Sequence, residues 1–276
     1  MTLRLAVACL VWIASATASP ASQGQCVSPT LTPDAGEEEE EVQELEEEVG
    51  DRDPTYLRTR AIFRYDHRLL GGSASSDRVR LRFMYAFGPR QRFAVSFLEP
   101  LVQTDTPTET ARGPGDAEVQ FNAILLHRSR FRAGASVQTT LHTSSDALLG
   151  PGTTALKPSL EFAGVITSRL ELTAAFSYKQ SIHASRGISA KQFEPDFILN
   201  ARVFEATWFL EWDSFYDYLP GRFAQTLKPG VSRAFGPGRR LVGAAYYAFA
   251  LNDYARASQY RFSAGIDMTW FPLKHR

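Results

Sequence analysis

The sequence predicts an all-β fold: a twelve-stranded antiparallel up-and-down transmembrane β-barrel with short periplasmic turns and longer extracellular loops. Three observations carry that expectation. Polar and apolar residues alternate with period two from Thr55 onward, the joints between alternating segments differ in length by parity, and the chain opens on an export signal.

The export signal comes first. Arg4 supplies a positive start, residues 5–14 an apolar stretch, and Ala16-Thr17-Ala18 a small-residue cleavage site, so residues 1–18 read as a signal peptide. No other run approaches the ~18 apolar residues of a membrane-spanning helix. Cys9 falls within the signal and leaves Cys26 alone, which excludes an intrachain disulfide framework. Gln25 stands where lipid acylation of Cys26 would need a small residue.

Residues 19–54 read as a flexible acidic periplasmic segment. They are poor in apolar groups, and nine glutamates crowd residues 37–48. Such a composition buries too little surface to offset the entropy of ordering. Val42, Leu45 and Val49 have helical spacing, enough for one or two transient turns. The zero net charge therefore conceals a split: residues 55–276 hold 28 Lys+Arg against 18 Asp+Glu, an excess of ten positive charges.

Residues 55–276 read as the barrel. Twelve alternating segments can be drawn, at 55–66, 77–87, 91–103, 115–127, 130–142, 154–166, 169–181, 194–204, 207–217, 222–235, 239–250 and 259–271. In the second, Arg78, Arg80 and Arg82 share one face and Val79, Leu81, Phe83, Tyr85 and Phe87 the other. In the last, Ser263, Gly265, Asp267 and Thr269 follow Arg261 on the polar face, opposite Ile266, Met268 and Trp270. Most segments are long enough to cross a bilayer at a barrel's tilt. Even-numbered joints are tight and odd-numbered ones are longer and polar, which places both termini in the periplasm. The turns at 87–90 and 235–239 repeat Phe-Gly-Pro, one hairpin solution used twice.

Size and charge decide which wall faces inward. A twelve-stranded lumen is too wide for apolar filling alone. A lysine or arginine facing lipid near the midplane would cost ~2–4 kcal/mol. The polar wall is therefore expected to line the lumen, with Arg58, Arg60, Arg64, Arg80, Arg82, Glu118, Arg132, Lys157, Glu161, Glu171, Arg202, Glu211, Asp213 and Arg261 along the solute path. Tyr56, Tyr65, Phe87, Trp208, Tyr216, Tyr218, Phe235, Tyr260, Trp270 and Phe271 lie near segment ends, as interfacial girdles would. The expected surroundings are outer-membrane lipid and lipopolysaccharide. Residues 263–270 resemble the C-terminal signal read by the barrel-assembly machinery, although six residues follow Trp270.

No enzymatic constellation emerges. His127 with Ser129 and His142 with Ser144 bear comparison with outer-membrane phospholipases, but neither pair has a third group to orient the histidine. The five histidines are scattered singly without metal-ligand spacing, and no glycine loop cradles a phosphate, so no metal, cofactor or nucleic acid is expected.

One succession carries a resemblance. Gly113-Pro114-Gly115-Asp116 opens a segment, followed by Leu141-His142-Thr143-Ser144, then Leu149-Gly150-Pro151-Gly152-Thr153, then Leu156-Lys157-Pro158-Ser159-Leu160. This is similar to an outer-membrane transporter family linked to the meta-cleavage pathway of phenol degradation, over about residues 113–181. His142 stands where that family has proline and Ser144 where it has glycine. The resemblance implies a barrel and small-molecule passage. Together these readings lead to a channel for small, anionic or aromatic solutes, with the acidic segment able to neutralise a basic lumen. A plugged structural or adhesion barrel and a lipid-modifying enzyme remain as alternatives.

Overall fold

The computed structural model describes residues 55–71, 73–184, 189–235 and 240–272. The export signal, the acidic segment, Cys26, the turn at 236–238 and His275 lie outside the described residues. The strands are β1 (Arg60–Leu69), β2 (Ser75–Phe87), β3 (Phe93–Asp105), β4 (Thr110–Pro114), β5 (Ala117–Arg128), β6 (Phe131–Leu141), β7 (Thr153–Thr167), β8 (Leu170–Ala184), β9 (Lys191–Val203), β10 (Ala206–Asp217), β11 (Arg222–Phe235), β12 (Leu241–Ala250) and β13 (Phe262–Trp270). A short helix α1 (Asp253–Ser258) precedes β13.

Each strand pairs antiparallel with its sequence neighbour, and β1 closes the ring on β13 from Ala61↔Trp270 to Leu69↔Phe262. The short β4 and β5 both pair with β3, so they are two halves of one stave, and the barrel has twelve. The break between them falls at Gly115-Asp116, where the Gly115 N–H still donates to the Pro100 carbonyl at 2.7 Å.

Two-residue turns, Ser129-Arg130, Ser168-Arg169 and Phe204-Glu205, lie on the same end of the barrel as the turn after β2. In that turn Gly88 takes φ 80°, a left-handed conformation open to glycine, and a 3-10 turn (Pro89–Gln91) follows. The longer connections occupy the opposite end.

Exposure follows the alternation. Phe83 is 58% exposed, Tyr85 65% and Leu160 52%, whereas Glu171 and Asn200 are fully buried. The apolar wall thus faces outward and the polar wall inward, which is the order a bilayer imposes. Outward aromatic rings continue from strand to strand: Phe131, Phe162, Phe176, Phe197, Trp212 and Phe223 stand 5.5–6.4 Å from one ring centroid to the next. Phe121 lies mid-strand on this wall, so Phe121→Arg is expected to lower folding stability by ~2–4 kcal/mol, read as a shifted urea midpoint in lipid vesicles.

Several boundaries differ from expectation. The first strand begins at Arg60 rather than residue 55 and runs to Leu69. Residues 55–59 instead enter the turn-end mouth, where Leu57 packs against inward-facing Met84, Ala86 and Ala94. Leu57 meets apolar side chains there that a strand continuation would leave uncovered. The girdle is also partial. Phe87, Trp208, Tyr216, Tyr218 and Trp270 are exposed on the outer wall, but Tyr260 and Phe271 are buried. Tyr260 turns towards Arg68, whose guanidinium lies 5.2 Å from its ring centroid.

Two glycines on inward positions are fixed by close approach. A Cβ on Gly265 would collide with the Tyr246 ring, its cross-strand partner, and one on Gly230 with the Phe209 ring. An aromatic ring laid over a bare strand position fills the space a side chain would occupy. Gly265 is the glycine of the 263–270 pattern, which gives that position a packing reason.

Candidate functional site

The inward wall is a web of opposite charges. Arg64 on β1 donates twice to Asp267 on β13, at 2.6 and 2.7 Å. Asp66 receives Arg68 at 2.7 Å and Arg80 at 3.2 Å. Arg82 reaches Glu118 at 3.8 Å. Arg132 on β6 meets Glu171 on β8 at 2.8 Å, both almost wholly buried. Lys157 meets Glu194 at 2.6 Å, and Lys228 meets Glu211 at 2.5 Å. Glu161 accepts a hydrogen bond from the Ser136 hydroxyl at 2.7 Å. These groups come from strands that period two obliges to turn every second side chain inward. The ion pairs form because buried charge is tolerated only when partnered.

Most expected path residues therefore meet inside the barrel, with two exceptions. Arg58 lies before β1 in the turn-end mouth, 5.1 Å over the Tyr56 ring. Arg261 is exposed at the loop-end rim, ahead of β13, because its strand starts one residue later. Arg202 sits at the turn end of β9. The positive excess counted over 55–276 does not line the lumen as a whole. Arg90, Arg92, Arg128, Arg130, Arg169 and Arg240 occupy turns or strand ends at the turn-end rim.

Within the lumen the two signs are segregated. β1 and β2 turn six arginines inward, with Asp66 the one inward acid on those two strands. β9 and β10 turn Glu194, Asp196, Glu211, Asp213 and Asp217 inward, with Arg202 at one end. A cavity of 210 Å³ lies between these walls, lined by Arg60, Arg64 and Arg82 on one side and by Asp196, Glu211, Asp213 and Lys228 on the other. A second cavity of 430 Å³ continues towards the loop end past Lys179, Glu194, Ser258 and Gln259. Asp196 and Asp213 line both.

Each mouth is narrowed. At the turn end, Thr55 and Leu57 are buried, and Arg132 donates from Nε to the Thr55 hydroxyl at 3.2 Å. At the loop end, α1 leans on inward Ala224 and Ala250 through fully buried Ala255. Asn252 caps the helix by accepting from the Ala255 N–H at 2.9 Å. The Tyr254 hydroxyl donates to Asp217 at 3.0 Å, and burial together with that bond raises its pKa. The loop 142–152 closes the other side of the same mouth, with Leu149 buried and the Leu148 carbonyl accepting from Thr104 at 2.9 Å.

Asp116 holds that loop. Its carboxylate accepts from the backbone N–H groups of Thr143 at 3.2 Å, Ser144 at 3.0 Å and Gly152 at 3.1 Å. Thr143 completes the clasp: its hydroxyl donates to the Gly115 carbonyl at 2.7 Å and accepts from the Ala117 N–H at 2.8 Å. A Cβ on Gly150 would stand 2.7 Å from the Ser144 hydroxyl and 2.8 Å from Asp116. The succession of motifs from Gly113 to Gly152 is thus a loop anchor, and Ser144 is buried within it. Asp116→Ala strands two buried N–H groups, those of Ser144 and Gly152, at a cost of about 1–3 kcal/mol each, and a part-buried one at Thr143. Limited proteolysis within 144–152 is expected to accelerate at least tenfold in that variant.

Sequence reasoning left Glu194 and Asp196 off the path although the eighth segment, drawn from residue 194, contains both; β9 itself starts at Lys191. Period two carried back through Gln192 was the available signal. It also missed α1, whose Asn252 cap followed by Asp253 is a helix-start signature.

No family model matches the chain, and no curated protein matches it. Solved structures do. The COG4313 outer membrane channel from Pseudomonas putida F1 superposes with a TM-score of 0.62 at 11% identity, covering 77% of this chain and 94% of that one. The NanC porin gives 0.56 at 13% identity over 77% of this chain and all of its own length. The KdgM porin gives 0.51 at 11% identity over 77% and 99%. At such identities the likeness concerns architecture, and it agrees with the inward polar wall and the twelve closed staves: the chain has the fold of a porin-like outer-membrane β-barrel.

Proposed function

We propose that this protein is a channel carrying small polar solutes across the outer membrane, with both termini in the periplasm. The observation that carries the reading is the pair of polar cavities, both lined by Asp196 and Asp213, inside a closed barrel whose outer wall is apolar. The arginine wall of β1 and β2 is the surface on which a carboxylate settles. Charged groups lining a narrow aqueous path set its selectivity by focusing the field. The similarity of about residues 113–181 to the transporter family of phenol degradation supports the same reading. So do the solved porins, one of which is described in complex with disordered oligogalacturonate.

Recording from pure folded protein in planar bilayers tests it. Discrete conductance steps are expected, and replacing Arg60 and Arg82 with glutamine should lower the anion-to-cation permeability ratio by roughly two- to tenfold. Absence of any current would overturn the proposal. A plugged structural barrel is the second reading, favoured by residues 55–59 in the turn-end mouth. It predicts silence from the full-length protein that deletion of those residues relieves.

A further inference from the structure

We infer that the turn-end mouth holds a binding site for a doubly charged oxyanion of the phosphate type, and that the bound anion latches residues 55–59 in place. The site is a cavity of 210 Å³ with two unlike sides. Residues 55–58 form one. The other comes from Arg90, Gln91 and Arg92 in the turn after β2, with His127 at the end of β5 and Arg132 at the start of β6. Four arginines line the space, and among the described residues no acid does. Two of the four are engaged: Arg132 by Glu171 and the Thr55 hydroxyl, and Arg58 over the Tyr56 ring. Arg90 and Arg92 are exposed and have no ion pair among the described residues. Theirs are the charges left for a ligand.

A guanidinium fork matches two oxygens of a phosphate at once, and Gln91 between the two arginines adds neutral N–H donors. The backbone points to the same place. Arg90 has φ 56° and Gln91 φ 52°, a left-handed region that residues with a side chain seldom adopt. Strain of this kind gathers at ligand clamps, and here it falls on two residues that line the cavity. Leu57 and Arg132 in the same lining are buried inside the ring of strands, so the ligand is a free anion from the water at that end, not a lipid headgroup. Because one side of the site belongs to residues 55–58, the anion meets its full set of partners only while that segment occupies the mouth. A ligand that binds one arrangement stabilises it by linkage. At about ten times its dissociation constant, the anion should cut release of the segment about tenfold. Neither binding nor latching requires that the barrel conduct.

The test uses the full-length protein refolded in detergent micelles at low ionic strength. Titration calorimetry with inorganic phosphate is expected to show one saturable site. Arg90→Gln combined with Arg92→Gln should weaken it by roughly tenfold or more, the loss of charge-assisted hydrogen bonds. Arg169→Gln, at a turn-end arginine outside the cavity, should leave it unchanged. Trypsin cleavage after Arg58 reads the latch, with cleavage after loop-end Arg256 as the internal standard. Phosphate at about ten times its measured dissociation constant should slow the former about tenfold in the wild type, and leave it unaltered in the double variant. Heat-modifiable migration on gels reports folding. If the double variant has not folded, the wild type decides by binding phosphate roughly tenfold more tightly than singly charged nitrate. Absence of saturable phosphate binding by the folded wild type, equal binding in the double variant, or unchanged cleavage after Arg58 would each overturn the inference. So would a loss in Arg169→Gln as large as in the double variant, since diffuse rim charge would then account for the effect.

Discussion

Replacing Glu171 with alanine is expected to destabilise the folded barrel by about 3–5 kcal/mol, the cost of leaving a buried charge without its counterion. Glu171 is fully buried, and its partner Arg132 is only 2% exposed. Their 2.8 Å contact joins β6 to β8 across the intervening β7. Without the carboxylate, the guanidinium keeps its desolvation penalty and loses the compensation that this contact supplies. Glu171→Gln, which retains an acceptor, should lose less. Replacing both partners with apolar residues of similar volume removes the charge altogether, and that double variant should be more stable than either alanine single. Urea midpoints from tryptophan fluorescence in micelles measure all of these, and losses that simply add would contradict a coupled pair.

Leu57→Asp is expected to free the turn-end mouth. Leu57 is 5% exposed against Met84, Ala86 and Ala94, with Ile124 alongside. Burying such a side chain contributes about 1.5–3 kcal/mol, and aspartate forfeits that and adds the cost of a desolvated charge. With 1.4 kcal/mol for each factor of ten, occupancy of the mouth by residues 55–59 should fall roughly 10- to 100-fold. Mean current per channel should rise accordingly, while Leu57→Met should behave as wild type. An unchanged current in Leu57→Asp would show that the segment does not limit the passage.

Much of this architecture was legible in the sequence because a membrane barrel leaves little freedom. Lipid on one side and water on the other force period two, so the faces of β2 and β13 could be read residue by residue. Joint length then separated the two ends. What escaped were features decided by non-local packing. Residues 55–59 alternate like a strand, yet Leu57 finds an apolar patch formed by β2 and β3 that no local pattern announces. Tyr260 has the look of a girdle residue but turns inward to Arg68.

The site was legible as a set of residues and not as an arrangement. Period two marks a residue as inward, but the partner of each charge depends on strand order and stagger. Arg64 and Asp267 are 203 residues apart. The total charge of the barrel region also misled, because the arginines of the rim and those of the lumen enter one count. Only the fold separates Arg90 and Arg169 at the turns from Arg60 and Arg82 in the cavity.

The central claim is that the polar wall encloses a water-filled path and the apolar wall faces lipid. Neighbouring residues on β5 test it most directly, since Gln120 lines the central cavity and Phe121 is exposed on the outer wall. Each is changed to cysteine in a background with Cys26→Ser, and a charged, water-soluble thiosulfonate is added during bilayer recording. The account predicts that current through the Gln120→Cys channel changes on labelling while Phe121→Cys is unaffected. Current altered at Phe121→Cys and not at Gln120→Cys, or at neither, would contradict it.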